Sequence, residues 1–222
     1  MNTSTVVLSL PGLGNEPYIV QIIALLTILS IAPYIIMFFT TFLRISIVFS
    51  FLRNAMGLQQ FPSAQVFIVL SLILTFIIMK PVFSNIYAQA WIPYSENKIT
   101  LQEFVDISSS YLKDFMLKQT DQKDLQMMFT IAEEKPPKNP NDTPFSIAAG
   151  AFMVSELKKA FLMGFLIYLP FIALDIVVAS VLMSLGMFMI PPMMISLPLK
   201  IMLFIIANGW DLVIMGLARS FR

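Results

Sequence analysis

Two runs of this chain are long enough to cross a bilayer without meeting a single charge. Residues 17–43 contain no Asp, Glu, Lys or Arg, and neither do residues 54–79. A transmembrane helix needs about 20 apolar residues, so each run holds one. The first carries Pro33, where a kink is expected. The apolar part of the second begins near Phe61, with Pro62 suited to a helix start, and Lys80-Pro81 is expected to end it. Between them lies RISIVFSFLR, Arg44 to Arg53. Two further hydrophobic stretches follow late in the chain, Ala148–Leu185, with an interruption expected at Pro170, and Met193–Leu217.

Composition agrees. Of 222 residues, 58% are hydrophobic and 12% charged, against roughly 25% charged in soluble domains, and the mean hydropathy is +0.82. The expected fold class is all-α: an integral membrane protein of about four long hydrophobic helices, with broken helices and a small helical soluble insert. Its divisions are a short N-terminal segment (1–16), a first hydrophobic helical hairpin (17–92), the insert (93–147) and a second hairpin (148–222). The N-terminus has no basic region before its apolar run, so no cleaved signal peptide is expected.

The insert holds nine acidic and six basic residues. Thr100 with Glu103 reads as a capping box opening a helix whose apolar residues recur from Leu101 to Met116. A second short helix starts near Asp121. Residues 133–144, EEKPPKNPNDTP, read as an irregular, mobile loop. The insert's acids, interleaved with lysines, read as a solvated helical face. By the positive-inside rule, Arg44 and Arg53 place the first connection in the cytoplasm and the acidic insert on the other side, in a periplasm. Lys158, Lys159, Arg219 and Arg222 vote against that scheme.

The composition also excludes chemistry. Cysteine and histidine are both absent, which removes thiolate nucleophiles, disulfides and the commonest general base and metal ligand. No P-loop, G-x-S-x-G, H-E-x-x-H or G-x-G-x-x-G motif occurs. A net charge of +1 gives no electrostatic footprint for nucleic acid. Neither catalysis nor a bound cofactor or metal is expected.

Functional interest falls on SLGMFMIPPMMISLPLK, Ser184 to Lys200. It is apolar enough for a bilayer yet interrupted by Gly186, Pro191-Pro192 and Pro198. Broken backbone at membrane depth is tolerated only where it packs in protein or lines a cavity. Methionine is unbranched and deformable. Met187, Phe188 and Met189 are therefore candidates for an apolar constriction, the bland alternative being core filling. Asp175 stands alone in LPFIALDIVVASVL. It either makes a pore-lining or inter-subunit contact, or is paired within the chain with Lys200 or Arg44. Glu156 and Lys159, spaced i, i+3, read first as a surface ion pair. Arg44 and Arg53 read either as snorkelling anchors or as inter-subunit contacts.

Long stretches resemble one known family. They include Ser155-Glu156-Leu157-Lys158, Ala160-Phe161, Gly164-Phe165, Leu169-Pro170-Phe171, Asp175, residues 177–184, Gly186-Met187, Met189, Pro191-Pro192 and residues 195–198 with Lys200. A second block comprises Thr41-Phe42, Arg44, residues 52–55, Gly57, Gln59-Gln60 and Pro62. In the insert they include Ser95-Glu96, Lys98-Ile99, Phe115-Met116, Gln119-Thr120 and Asp124-Leu125. From about residue 20 onward the chain resembles the FliP/SctR family of type III export gates, its insert the flagellar branch more closely than the injectisome branch. Departures from the family pattern are Phe188 in place of a methionine, Asn208 in place of Asp, and Leu162 in place of a polar residue.

The resemblance implies a non-enzymatic subunit of a bacterial inner-membrane complex in the flagellar basal body. It implies a homo-pentamer completed by FliQ-like and FliR-like membrane proteins, alongside other export-apparatus membrane proteins and lipid. Unfolded flagellar subunits would pass through it, and the loop Met187, Phe188, Met189 would seal it when idle. Asp175, Glu156, Lys159, Arg44, Arg53 and Lys200 are the expected intramembrane polar or inter-subunit residues. An SctR-type injectisome subunit, a scaffold that nucleates the basal body and a small-molecule transporter coupled at Asp175 stay open beside this reading.

Overall fold

A computed structural model describes residues 18–58 and 62–221. The N-terminal segment 1–16, Gln59-Gln60, the helix start at Phe61 and Arg222 lie outside the described residues. The described residues form α1 (Tyr18–Phe39), α2 (Phe42–Ala55), α3 (Ala64–Ile86), a π-helical turn (Tyr87–Trp91) leading into α4 (Ile92–Ser95), α5 (Leu101–Gln119), α6 (Gln122–Ile131), a 3₁₀ turn (Pro140–Asp142), α7 (Phe145–Ser184), α8 (Pro192–Ile206) and α9 (Gly209–Arg219). Two helical stretches, 64–95 and 145–184, are long and apolar enough to cross a membrane, and there are up to four if each bent pair counts as one span.

The break after α1 falls where a side chain competes for backbone hydrogen bonds, not at Pro33. α1 runs through Pro33 and stops at Thr40-Thr41. There the Thr40 hydroxyl donates to the Ile36 carbonyl and accepts from the Phe42 N–H at 3.3 Å, taking over bonds that would continue the helix. α2 departs at 80°. α3 continues past Lys80-Pro81, and α7 passes Pro170 without interruption. Pro33, Pro81, Pro170 and Pro198 are all exposed. Each ring, and the carbonyl it displaces one turn back, points away from the packed core. The last hydrophobic stretch is broken instead at Asn208, left-handed at φ 49° and ψ 49°, a conformation Asn tolerates. α9 leaves α8 at 63°.

α2 is the centre of the molecule. Ile45, Val48, Phe49, Leu52 and Ala55 are completely buried, between α3 on one side and α7 on the other. Phe49 meets Phe67 of α3 with ring centroids 5.9 Å apart. Phe51 meets Phe161 of α7 edge-on at 5.5 Å. These pairs set the register. α2 runs parallel to α7, and α3 runs antiparallel to both. α8 and α9 return alongside, joining Phe171, Phe204 and Trp210 in one aromatic cluster. α7 has 40 residues and so spans about 60 Å, twice the hydrocarbon thickness of about 30 Å. Its first part is flanked by the insert helices α5 and α6, and its last part carries the Met loop.

The insert begins as read. The Thr100 hydroxyl accepts from the Glu103 N–H at 3.3 Å, and the Glu103 carboxylate accepts from the Thr100 N–H at 2.7 Å. The carboxylate also accepts from the Thr100 hydroxyl at 2.9 Å, and the two bonds it accepts, the backbone one foremost, hold the Glu103 carboxyl below its ordinary range.

Candidate functional site

The Met loop hangs on a helix stop built by Gly186. Its φ is +74°. The Met187 N–H bonds the Leu182 carbonyl at 2.9 Å, and the Gly186 N–H bonds that of Met183 at 3.1 Å. This pairing closes α7 with a left-handed residue. Pro191 and Pro192 then start α8. Between the two helices Met187 is 40% exposed, Phe188 80% and Met189 95%. Among the described residues nothing covers the tips of Phe188 and Met189, so these side chains do not fill the core.

Asp175 of α7 is bridged to Lys200 of α8, Nζ to Oδ2, at 2.6 Å. The lysine is nearly buried and the carboxylate 43% exposed. The pair ties together the two legs of the Met-loop hairpin. It opens onto a cavity of about 450 Å³ that Asn54, Gly57, Tyr168 and Met193 also line.

Arg44 is neither a snorkelling anchor nor part of a loop. It is completely buried on the inner face of α2. Its guanidinium grips Glu156 of α7 through two N–H groups, one of them Nε at 2.9 Å from Oε2. Nη1 donates to both the carbonyl and the hydroxyl of Ser220, each at 2.9 Å. The cation lies 3.8 Å over the Phe221 ring. The expected surface pair of Glu156 with Lys159 does not form. Glu156 faces α2, while Lys159 turns to the insert, bonding the Gln119 carbonyl at 2.6 Å and Asp121 at 3.1 Å. Arg53, on the same helix as Arg44, is half-buried beside α3.

The insert is clasped to α7 by pairings that the sequence did not reveal. Asp124 is buried, not part of a solvated face. It accepts from Ser155 at 2.7 Å and from Lys158. The Ser155 oxygen also accepts from the Asp121 N–H at 3.0 Å. Ser155, at the end of the largely apolar FSIAAGAFMVS, was the available signal. Lys158 and Lys159 thus carry no independent vote on topology, because insert carboxylates hold both. The hydrogen bond from Lys158 is the main cause that keeps the Asp124 carboxyl below its ordinary range, against the burial that pushes it up. A depressed folded-state value means that this clasp stabilises above the unfolded pKa, about 3.9 for Asp, and fades as pH falls further. Amide exchange protection in α6 is therefore expected to hold steady from neutral pH down to that point. Below it, protection should fall toward the level that Asp124→Asn shows at every pH. Unchanged protection in the variant at neutral pH would refute the clasp.

Sequence comparison places these features. The chain matches the FliP family over residues 25–217. It is 47% identical over 213 residues to the flagellar biosynthetic protein FliP of Aquifex aeolicus, covering 95% of this chain and 89% of that one. It is 46% identical over 207 residues to the protein of the same name from Bacillus subtilis, covering 93% and 94%. The FliP of Borreliella burgdorferi is 44% identical over 212 residues, covering 94% and 84%. By the extent of these matches, the chain belongs to the FliP family.

Proposed function

We propose that this chain is a wall-forming subunit of the flagellar type III export gate, in the bacterial inner membrane at the flagellar basal body. Relatives named as flagellar biosynthetic proteins at 44–47% identity favour the flagellum over an injectisome. The observation that carries the mechanism is the outward display of Met187, Phe188 and Met189 at the tip of a hairpin clamped by Asp175 and Lys200. A single chain gives these side chains nothing to close against. A ring of copies would bring them together as a flexible apolar gasket that excludes water and ions, yet deforms around a passing unfolded polypeptide. The chain itself does no chemistry.

The register of the helices supports assembly. α3 passes the Arg44–Glu156 layer soon after Ser71, and its exposed Ile73, Phe76 and Ile77 lie beyond it. The half of α7 beyond Lys159, whose one charged residue is Asp175, runs the other way, from Ala160 toward Ser184. One slab of about 30 Å does not cover both faces, so part of this apolar surface is left for protein. Five copies, with FliQ-like and FliR-like membrane proteins, are the partners we infer. The segment 93–147 is assigned to the periplasmic side, and Asp175, half-exposed, is the polar group placed to meet a neighbouring subunit. A transporter coupled at Asp175 draws less support, because that acid is already bridged to Lys200.

Two measurements test this. Native mass spectrometry of the detergent-extracted complex, co-expressed with the neighbouring membrane proteins, is expected to give five copies with smaller helical partners. A monomer without partners would refute it. Replacing Met187 and Met189 with alanine is expected to leave assembly and export intact while raising the ion conductance of the idle complex. Unchanged conductance in an assembled variant would refute the gasket.

A further inference from the structure

α9 is held at its two ends and only thinly between them. Of its side chains, Val213 and Leu217 alone are buried. The near end is a hinge. Ala207 keeps φ −75° and ψ 0°, so the 63° change of direction is made at left-handed Asn208. A rotation at that one residue reorients the whole of α9. Beneath the hinge, a cavity of about 220 Å³ separates the bend from α7. Every residue lining it is apolar, among them Ile167, Phe171, Phe204, Leu212 and Val213. A space without polar partners holds no ordered water, and side chains that face it lose dispersion contacts on that side. Packing therefore does little to fix the first half of α9.

Polar bonds fasten the far end instead. Just beyond α9, the carbonyl and the hydroxyl of Ser220 both accept from Arg44 Nη1 at 2.9 Å, and the Phe221 carbonyl accepts from Gln119 Nε2 at 3.0 Å. Arg44 belongs to α2 and is fixed in place by Glu156. Gln119 is the last residue of α5, and its own carbonyl accepts from Lys159 at 2.6 Å. Two parts of the molecule, the α2–α7 core and the insert, thus grip two adjacent residues. We propose that α9 is a hinged flap that pivots at Asn208 and is latched at Ser220 and Phe221, with the insert holding one side of the latch. Opening uncovers the part of the α2 core that Val213 and Leu217 join. It also draws Trp210 away from Phe67. The docking of the insert then sets how often the flap opens.

The test is hydrogen–deuterium exchange of the full chain, extracted as its complex. In the wild type, amides of α9 are expected to exchange faster than those of α2. Gln119→Ala removes one bond of the latch. It should speed exchange in α9 by up to about tenfold, the scale of a single hydrogen bond, and leave α2 unchanged. Val213→Leu extends an apolar side chain toward the cavity and should slow exchange in α9. Asp124→Asn loosens the insert without touching the latch, and should speed exchange in α9 as well as in α6. If α9 and α2 exchange in step in the wild type and in every variant, α9 opens only when the whole chain unfolds, and there is no flap. An α9 unmoved by Gln119→Ala would dispose of the latch. Loss of protection confined to α6 in Asp124→Asn would overturn the proposal too, because the insert would then hold no side of the latch.

Discussion

Glu156→Ala is expected to destabilise the fold by about 3–5 kcal/mol, the cost of stranding one member of a fully buried ion pair. Both side chains are inaccessible to solvent. With the carboxylate gone, Arg44 keeps its two bonds to Ser220 and its place over Phe221, but two N–H groups and a whole charge are left without compensation. The guanidinium cannot shed its proton, so it must draw in water or pull α2 away from α7. Removing both charges together is a different matter. Arg44→Met with Glu156→Leu is expected to recover most of the loss, since an apolar replacement of a buried pair is often neutral or stabilising. Denaturation followed by the fluorescence of Trp210, which packs against Phe67 and Phe204, reads the cycle. If the double variant loses the sum of the two single losses, the pair carries no coupling and this account of it fails. The same variants report on the C-terminus. Ser220 and Phe221 are fixed by Arg44, and Gln119 donates to the Phe221 carbonyl at 3.0 Å. Loss of Arg44 is therefore expected to free the chain end from both α2 and the insert.

Why this pair escaped the sequence is a matter of range. Arg44 and Glu156 lie 112 positions apart, and the helix-surface rule offered Glu156 a partner three residues away instead. Local rules served well where the physics is local. The Thr100–Glu103 box needs only its own four residues. The Gly186 stop is set by a left-handed conformation that few other residues take, and the start of α8 by prolines whose fixed φ suits a first helical turn. The same local rules misled at Pro81 and Pro170, because the cost of a helical proline depends on which way it faces, and facing is decided by packing. The break at Asn208-Gly209 was legible in principle, since Asn tolerates the left-handed region and glycine readily follows it, but the long apolar runs on either side hid it. Asp124 was indistinguishable from its solvated neighbours until Ser155 and Lys158 were brought to it by the docking of α6 on α7. The Met loop was legible as a loop; its display at the tip of a hairpin was not, because that follows from the Asp175–Lys200 clamp and the path of α8.

Gly164→Ala is expected to loosen the contact between α2 and α7, at a cost of about 1–3 kcal/mol, typical of overpacking. A Cβ at this position would stand 2.5 Å from Cγ of Phe51 and 2.9 Å from its Cβ. Swinging the ring aside would clear the first clash and leave the second, which is anchored directly to the α2 backbone. The two helices must therefore separate. That separation opposes Arg44 and Glu156, which bind the same helices about two turns away, and it tilts the half of α7 that leads to the Met loop. Phe51→Ala in the same chain is expected to restore only part of the stability, because it removes the ring clash but keeps the Cβ that forces the helices apart. Gly216→Ala is the contrasting case. No atom lies within 4 Å of its added Cβ, and alanine in a helix interior is worth about 0.5–1 kcal/mol over glycine. It should therefore be neutral or slightly stabilising. If Gly164→Ala melts with the wild type while Gly216→Ala behaves as expected, the spacing of α2 and α7 is not fixed by the glycine, and the link from this contact to the position of the Met loop is broken.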